Sequence, residues 1–172
     1  AANPMLAGRC WLLADGGGKG RARTGLRIRF DDGCELRYVD REMLGKIYLV
    51  EPDHLDSIPG WPEMGPDADD PDLTLERFRE RIRRHPGELK SLLRNPRFVA
   101  GIGNAYSDEI LWEARLAPLR KRSTLRPDEV DRLYAAMRLV VMEATTRLRS
   151  LVPPDIHLQH REFLKVHLRG GE

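Results

Sequence analysis

Residues 97–112 read RFVAGIGNAYSDEILW, in which a glycine-containing turn leads directly into a helix-forming segment. Gly101 and Gly103 allow the backbone to adopt positive φ angles and to approach another molecule closely. Asn104 is a favourable helix N-cap residue, and the apolar residues that follow, beginning with Tyr106, have helical spacing. Because the first amides of a helix are unpaired and lie at the positive end of its dipole, such a turn can bind an anion. The pattern predicts a phosphate-binding turn, and an ordinary tight turn between two helices is the alternative.

Positive charge is concentrated in the part of the chain that contains this turn. Lys90, Arg94 and Arg97 come shortly before it. The whole chain has a formal net charge of +2, but residues 75–149 contain 17 lysines and arginines against 10 acidic residues, whereas residues 1–74 contain 9 against 14. A basic region of this kind indicates a polyanionic partner. The alternative is that the arginine-rich helices have ordinary solvated faces.

Alternating apolar and charged residues predict strands in the first third of the chain. Leu26, Ile28 and Phe30 alternate with charged neighbours, and Asp-Asp-Gly at residues 31–33 is a hairpin turn signal. We expect four strands that form one antiparallel sheet with an apolar face. The predicted strands cover residues 5–13, 25–30, 34–39 and 46–50.

The rest of the chain has the pattern of a linker followed by helices. Residues 51–73 contain five prolines and many aspartates, which predicts an extended linker. Thr74 is suited to capping the helix after it, and His-Pro-Gly at residues 85–87 ends that helix. Pro127 is acceptable in the first turn of a long helix. Further helices are predicted over residues 88–94, 104–114 and 127 to about 149.

Composition excludes several classes of protein. The 172 residues are 41% hydrophobic and 33% charged, which is typical of a globular protein. No apolar run approaches the ~20 residues of a membrane-spanning helix, and no signal peptide is recognisable. Cys10 and Cys34 are too few for a disulfide framework or a metal site, and the five histidines lack metal-binding spacing. We therefore expect a cytoplasmic protein that makes no membrane contact and binds no metal or other cofactor through this chain.

The glycine turn and the helix after it resemble a known signature. Gly-Ile-Gly-Asn-Ala-Tyr at residues 101–106, followed by Asp-Glu-Ile-Leu at residues 108–111, resembles the helix–two-turn–helix (H2TH) motif of the formamidopyrimidine-DNA glycosylase (Fpg/Nei) family. Segments on both sides extend the resemblance over nearly the whole chain. They are Met5–Arg9, Asp40 and Gly45–Leu49, which are similar to the last strands of the family's N-terminal β-sandwich, Lys90–Leu93 before the turn, and residues 161–172, which are similar to the stretch before its zinc finger.

The resemblance implies an α+β fold, in which an antiparallel sheet, the remnant of a β-sandwich, precedes a mostly helical H2TH domain. It divides the chain into a partial β-sandwich at residues 1–50, a Pro/Asp-rich linker at 51–73, the H2TH DNA-binding domain at 74–150 and a tail at 151–172. The tail leads to a zinc finger that this chain does not contain, so zinc is expected only in a full-length family member.

The resemblance also implies a function in base-excision repair. Members of the family excise oxidised purines after flipping the damaged nucleotide out of the duplex, and they then cleave the abasic strand as AP lyases. Their nucleophile is an N-terminal proline amine that forms a Schiff base with the sugar. Pro4 is internal and its nitrogen is an amide, so we assign no catalytic residue in this chain. We expect a nucleoid-associated monomer that binds double-stranded DNA with oxidised or abasic lesions.

Particular DNA contacts follow from the same resemblance. Asn104 and the glycine turn would hold a phosphate, and Lys90 would lie near the DNA backbone. Asn3 would contact another phosphate, and Leu6 would either fill the gap left by a flipped base or lie in a strand core. Glu109 would approach the damaged base or structure the turn. The complete set of predicted DNA-binding residues is Asn104, Gly103, Gly101, Lys90, Asn3, Arg97, Arg41 and Glu109.

A loop at residues 40–45 corresponds to the family's intercalating loop, which normally carries an arginine and a phenylalanine. Arg41 is present at a displaced position, and Met43 or Leu44 is the apolar side chain available to wedge between bases.

Two other functions are compatible with the sequence. One is a non-catalytic DNA-binding protein that recognises damaged or bent DNA. The other is an RNA- or ribosome-binding protein, because H2TH elements also occur in a ribosomal protein. The strands that resemble the glycosylase sandwich count against the second, and competition between duplex DNA and structured RNA would separate the two.

Overall fold

The computed structural model describes residues 1–3, 5, 7–14, 23–151, 156 and 160–167. The chain divides into two compact units, one formed by Ala1–Pro59 with Arg149–His160 and the other by Gly60–Leu148 with Arg161–Glu172. The first unit contains the strands and the second is mostly helical. The predicted α+β fold class is therefore confirmed. Among the described residues, no helix is both long enough and apolar enough to cross a bilayer.

The strands of the first unit form two antiparallel sheets. The described strands are β1 Ala2–Asn3, β2 Arg9–Leu13, β3 Thr24–Arg29, β4 Glu35–Val39 and β5 Lys46–Ile47. The larger sheet has the order β2-β4-β3, and the smaller pairs β1 with β5 in the register Ala2 to Ile47 and Asn3 to Lys46.

The prediction of a single four-stranded sheet is wrong in two respects. The fourth strand pairs with β1 instead of joining the other three, because the loop at residues 40–45 redirects the chain after β4. The first predicted strand, residues 5–13, begins only at Arg9, because Met5 has a φ of 50°, which is incompatible with an extended strand. The alternation of apolar and charged residues on β3 does not produce a buried face, since residues 25–29, which include Leu26 and Ile28, are all exposed.

Four α-helices and one short 3₁₀ helix make up the second unit. Thr74 caps the first helix as predicted, since its Oγ1 accepts a hydrogen bond from the Arg77 amide at 3.3 Å. The predicted helices after it are all present, with ends that differ by one or two residues. They are α1 Leu75–Arg84, α2 Leu89–Leu93, α3 Asn104–Glu113 and α4 Pro127–Leu151, with the 3₁₀ helix Arg122–Thr124 before α4.

Residues 51–73 are more ordered than the extended linker that the sequence predicts. Pro52–Ser57 form a 3₁₀ helix in the first unit. In the second unit, the amide of Ala68 donates to the carbonyl of Ala100 at 3.1 Å, and Leu73 is fully buried. The guanidinium of Arg138 also donates to the Ala68 carbonyl at 3.0 Å. A segment rich in proline and aspartate folds here because Ala68 and Leu73 enter the core and some of its backbone groups find hydrogen-bond partners.

The core of the second unit is centred on aromatic and aliphatic side chains from all four helices. The ring of Phe78 on α1 lies 5.3 Å from that of Phe98 and 5.4 Å from that of Tyr134 on α4. Leu93 of α2 and Ile110 of α3 are completely buried in the same cluster. The short helix α2 is therefore held in place by packing, because five residues are too few to be stable alone.

A buried carboxylate fixes the start of α4. Glu129 accepts two hydrogen bonds from the Arg120 guanidinium, at 2.6 and 2.8 Å, and one from the Arg126 amide at 2.9 Å. These donors hold the pKa of Glu129 at about 2. The carbonyl of Arg120 in turn accepts from the amide of Leu89 at the start of α2, at 3.0 Å. The chain around Arg120 thus connects the start of α4 to α2.

Candidate nucleic-acid interface

The turn before α3 is formed by one left-handed glycine and one extended glycine. Gly101 has a φ of 87°, whereas Gly103 has a φ of −98° and is the N-cap residue. The prediction that Asn104 is the N-cap is wrong by one position, because the Gly103 carbonyl already accepts the hydrogen bond from the Ser107 amide at 3.0 Å. Asn104 is therefore the first helical residue. Of the two glycines, Gly101 alone needs the conformational freedom that glycine provides.

The N-terminus of α3 is open to an approaching molecule. Its N-cap residue, Gly103, has no side chain that could accept from the first amides of the helix, and these amides have no intrahelical partner. Gly101, Gly103 and Asn104 are all exposed, and a Cβ atom built on either glycine would meet nothing within 4 Å. Ile102, between the two glycines, is buried and holds the turn to the core. The turn is thus a rigid, uncovered group of hydrogen-bond donors.

Two arginines before the turn are available for an external partner. Arg94 and Arg97 are exposed, and neither guanidinium has an ion-pair partner in the part of the chain that the structure describes. The backbone that carries Arg97 is fixed, since the Arg81 guanidinium donates to the carbonyls of Arg97 at 2.6 Å and Phe98 at 2.9 Å. The positively charged side chain of Arg97 is therefore carried by a segment whose backbone is fixed by hydrogen bonds.

Lys90 is placed differently from the two arginines. Its Nζ lies 2.6 Å from Oδ1 of Asp108, and the other carboxylate oxygen lies 3.0 Å from Nδ1 of His167. Burial opposes ionisation of Asp108, but the hydrogen bonds from Lys90 and His167 outweigh it and keep the pKa of this carboxyl below its usual value. Lys90 thus joins α2 to α3 through an ion pair, with part of its side chain still exposed.

Glu109 lies inside the protein instead of on the surface of α3. Its side chain is buried, and its carboxylate accepts hydrogen bonds from three successive amides: Lys165 at 2.7 Å, Val166 at 2.8 Å and His167 at 2.8 Å. Of the two roles considered from the sequence, this geometry agrees with a structural one and not with contact to a base, because both oxygens already bind backbone. Sequence reasoning missed what Glu109 holds, since its partners are 56 to 58 residues away.

The loop at residues 40–45 in the first unit is organised around one carboxylate. Asp40 accepts hydrogen bonds from the amides of Gly45 at 2.7 Å and of Glu42 and Met43, each at 3.1 Å. The Gly45 amide is the main reason that the pKa of Asp40 is lowered. Gly45 is required here, because a Cβ at this position would overlap the Tyr38 hydroxyl.

The side chains of this loop point outward. Met43 is 79% exposed and Leu44 is 50% exposed. Arg41 is also exposed, and its carbonyl accepts a hydrogen bond from the Arg23 guanidinium. Asn3 on β1 is exposed and accepts from the Met5 amide at 3.1 Å. The predicted site residues therefore belong to two groups: Asn3 and Arg41 lie in the first unit, and the others lie around α2 and α3 in the second. Leu6 lies outside the described residues.

A family model described as the formamidopyrimidine-DNA glycosylase H2TH domain matches residues 64–152. The chain belongs to the Fpg/Nei family. The resemblance inferred from the Gly101–Tyr106 motif is therefore confirmed. A formamidopyrimidine-DNA glycosylase from Pelotomaculum thermopropionicum is 34% identical over 154 residues, which are 87% of this chain and 56% of that protein. The chain spans about half the length of the curated relatives it matches.

Solved structures of Fpg proteins have the same fold. The MutM (Fpg) protein of Thermus thermophilus matches with a TM-score of 0.74 and 29% identity, over 84% of this chain and 52% of that one. A Lactococcus lactis Fpg, solved in complex with DNA containing an abasic site, matches with a TM-score of 0.74 and 25% identity, over 84% of this chain and 54% of that one.

The Fpg/Nei family implies a zinc site, but the described residues do not form one. In the described ranges, no group of three or more histidine, cysteine, aspartate or glutamate residues could hold a metal ion.

The two glycines of the turn are expected to respond differently to the same substitution. Gly101→Ala should lower the free energy of unfolding by roughly 1–2 kcal/mol, because an L-residue is strained at positive φ. Gly103→Ala is the matched control and should change it by less than about 0.5 kcal/mol, since its backbone is extended and its Cβ has free space. Urea denaturation of both variants measures the difference. Equal losses would contradict the geometry of the turn.

Proposed function

We propose that the chain binds double-stranded DNA through the turn at residues 101–104, as part of a base-excision-repair DNA glycosylase that acts on oxidised purines. The observation that carries the proposal is the N-terminus of α3, which has no side-chain cap and lies behind an exposed glycine turn. Arg94 and Arg97, shortly before that turn in sequence, are exposed and have no ion-pair partner among the described residues. Backbone amides at a helix N-terminus and free guanidinium groups are the donors that phosphate oxygens accept from most readily. The DNA partner and the repair role are supported by the names of the relatives described above.

The proposed contacts position DNA without reading its sequence. Asn104 would add a side-chain amide to the backbone donors of the turn, and Arg94 and Arg97 would neutralise neighbouring phosphates. Such contacts fix the register of a protein on the duplex but carry no base information. Lesion selectivity would then come from unstacking the damaged nucleotide, since extrusion is easiest for a damaged or unpaired base.

The loop at residues 40–45 is the part of the first unit best suited to unstacking. Exposed apolar side chains inserted between base pairs are a common way to kink a duplex and separate its bases. Met43 and Leu44 are exposed on a loop whose backbone is held by Asp40. We propose that one of them wedges into the stack next to an oxidised or abasic nucleotide, with Arg41 contacting the backbone.

Salt dependence is the sharpest test of the phosphate contacts. We expect the logarithm of the affinity for a duplex to fall linearly with the logarithm of the salt concentration, with a slope of about −0.9 per phosphate neutralised. The double variant Arg94→Ala/Arg97→Ala should reduce the slope by about 1.8, and Asn104→Ala should lower affinity without changing the slope. Fluorescence anisotropy with a labelled duplex measures both quantities.

A matched control for this test is Arg84→Ala, which removes an equally exposed arginine that already pairs with Glu80 on α1. The salt dependence and the duplex affinity of Arg84→Ala should equal those of the unmodified chain. Salt-independent affinity, or the same loss in Arg84→Ala, would refute the proposed interface. Structured RNA that competes as well as duplex DNA would instead favour an RNA-binding protein.

Borohydride trapping on a duplex with an abasic site tests the catalytic part of the proposal. A Schiff base between a protein amine and the sugar is reduced to a stable adduct by borohydride. A covalent adduct would support AP lyase chemistry in this chain. Salt-sensitive binding to the same duplex without an adduct would limit the function of the chain to holding DNA.

A further inference from the structure

A basic concavity lies in the helical unit, between α1, the 3₁₀ helix Arg122–Thr124 and the start of α4. Its volume is about 470 Å³, which is within the range of small-ligand and peptide pockets. Its walls combine cations with apolar side chains. They include Arg79, Arg83 and Arg122 together with Ile82, Leu125 and Val130.

Two of the three arginines have side chains that can still bind an anion. Arg79 forms a bidentate pair with Asp131, at 2.7 and 2.6 Å, so its charge is neutralised. Arg83 is exposed, and its guanidinium has no ion-pair partner among the described residues. Arg122 is held by a hydrogen bond from its Nη2 to the Arg83 carbonyl at 3.1 Å, but its Nε is buried and has no acceptor. This Nε has no solvent-accessible surface, so an incoming anion can meet Arg122 only at the part of the side chain that lines the concavity.

The concavity faces away from the turn at residues 101–104. Arg81, between Arg79 and Arg83 on α1, donates to the carbonyls of Arg97 and Phe98 just before that turn. Residues two positions away from Arg81 on an α-helix are rotated by about 200° from it. A ligand in the concavity therefore does not compete for the donors of the turn.

The apolar part of the concavity decides between two kinds of anionic partner. Leu125 and Val130 are partly buried members of the hydrophobic core that also line this space. A DNA backbone presents phosphates and sugars and gains little from an apolar floor, and its phosphates are usually met by exposed cations. An acidic peptide supplies both a carboxylate for the arginines and an apolar side chain for the floor.

We propose that this concavity binds an acidic peptide segment of a partner protein, with a carboxylate on the side chains of Arg83 and Arg122 and an apolar side chain on Leu125 and Val130. The site is separate from the proposed DNA interface, so the chain can hold the peptide and a duplex at the same time. The partner protein is thus defined by an acidic segment interrupted by leucine or phenylalanine.

The test uses the full chain and a fluorescein-labelled peptide of the sequence Asp-Asp-Leu-Asp-Phe-Asp, followed by fluorescence anisotropy. We expect saturable binding that Arg83→Ala weakens at least fivefold and that Arg122→Ala abolishes. Arg84→Ala is the matched control, since its guanidinium is exposed on the same helix and pairs with Glu80, and it should bind as the unmodified chain does. Replacing leucine and phenylalanine in the peptide by serine should also weaken binding at least fivefold.

Four results would overturn the proposal: no saturation, equal loss in Arg84→Ala, binding indifferent to the apolar residues of the peptide, or displacement of the peptide by duplex DNA. Displacement of the peptide by duplex DNA would mean that the concavity binds nucleic acid. Because Arg83 is exposed, Arg83→Ala remains a valid test if Arg122→Ala fails to fold. Loss of DNA binding in Asn104→Ala with unchanged peptide binding would show that the two sites are independent.

Discussion

Glu109→Ala is expected to release the segment around residues 165–167 from α3 and to lower the free energy of unfolding by about 3 kcal/mol. The substitution leaves the amides of Lys165, Val166 and His167, which are partly buried, without an acceptor, and an unsatisfied donor that is fully buried costs about 1–3 kcal/mol. The loss is smaller than the sum because the segment can detach and expose its amides to water. Hydrogen exchange should show loss of protection at Lys165, Val166 and His167, and urea denaturation gives the loss in stability.

The neighbouring variant Glu113→Gln is the control for this prediction. Glu113 pairs with Nζ of Lys165 at 3.0 Å, but the lysine side chain is 55% exposed, and exposed ion pairs contribute about 0–1 kcal/mol. In Glu113→Gln, the amides of residues 165–167 should stay protected from hydrogen exchange. If Glu109→Ala kept the same protection as Glu113→Gln, the carboxylate of Glu109 would not be what holds the segment.

Phe98→Ala should be the most destabilising of the single substitutions considered, with a loss of about 3–5 kcal/mol. Phe98 is completely buried, and its ring lies 5.3 Å from that of Phe78 and 5.4 Å from that of His85. The cavity left by the ring would lie three residues before Gly101. We therefore expect DNA affinity to fall as well, because the turn loses the packing that fixes it. Urea denaturation and anisotropy with a labelled duplex measure the two effects.

Phe30→Ala removes the same side chain from an exposed position. Phe30 is 46% exposed in the first unit, so its removal should cost about 0.5 kcal/mol or less and leave DNA affinity unchanged. Comparable losses in the two variants would mean that the packing around Phe98 is looser than the structure indicates.

The glycine turn and the helices were predictable because their signals are local. Thr74 caps α1 through a residue three positions away, and the order of the helices follows from hydrophobic spacing. The N-cap is Gly103 and not Asn104 because the Gly103 carbonyl accepts the first hydrogen bond of the helix. The preference of residue types for the N-cap position does not show which carbonyl makes that bond.

Features that depend on distant partners were out of reach of the sequence. Asp108 binds His167 59 residues away, and histidine spacing alone cannot indicate a carboxylate partner on another element. The division of the strands into two sheets depends on the loop after β4, which the period of two does not describe. The basic composition indicated a polyanion, but it could not separate Arg94 and Arg97, which have no ion-pair partner among the described residues, from Arg79, which is paired with Asp131.

The way Asp40 holds its loop leaves the loop side chains open to exchange. The carboxylate binds amides, and every residue except proline has one, so the shape of the loop depends on Tyr38, Asp40 and Gly45 and little on the side chains of residues 41, 42 and 44. Only Met43 is restricted, since its φ of 54° favours glycine or asparagine. The loop can therefore serve as a frame in which different residues are presented to a ligand while the rest of the first unit stays the same.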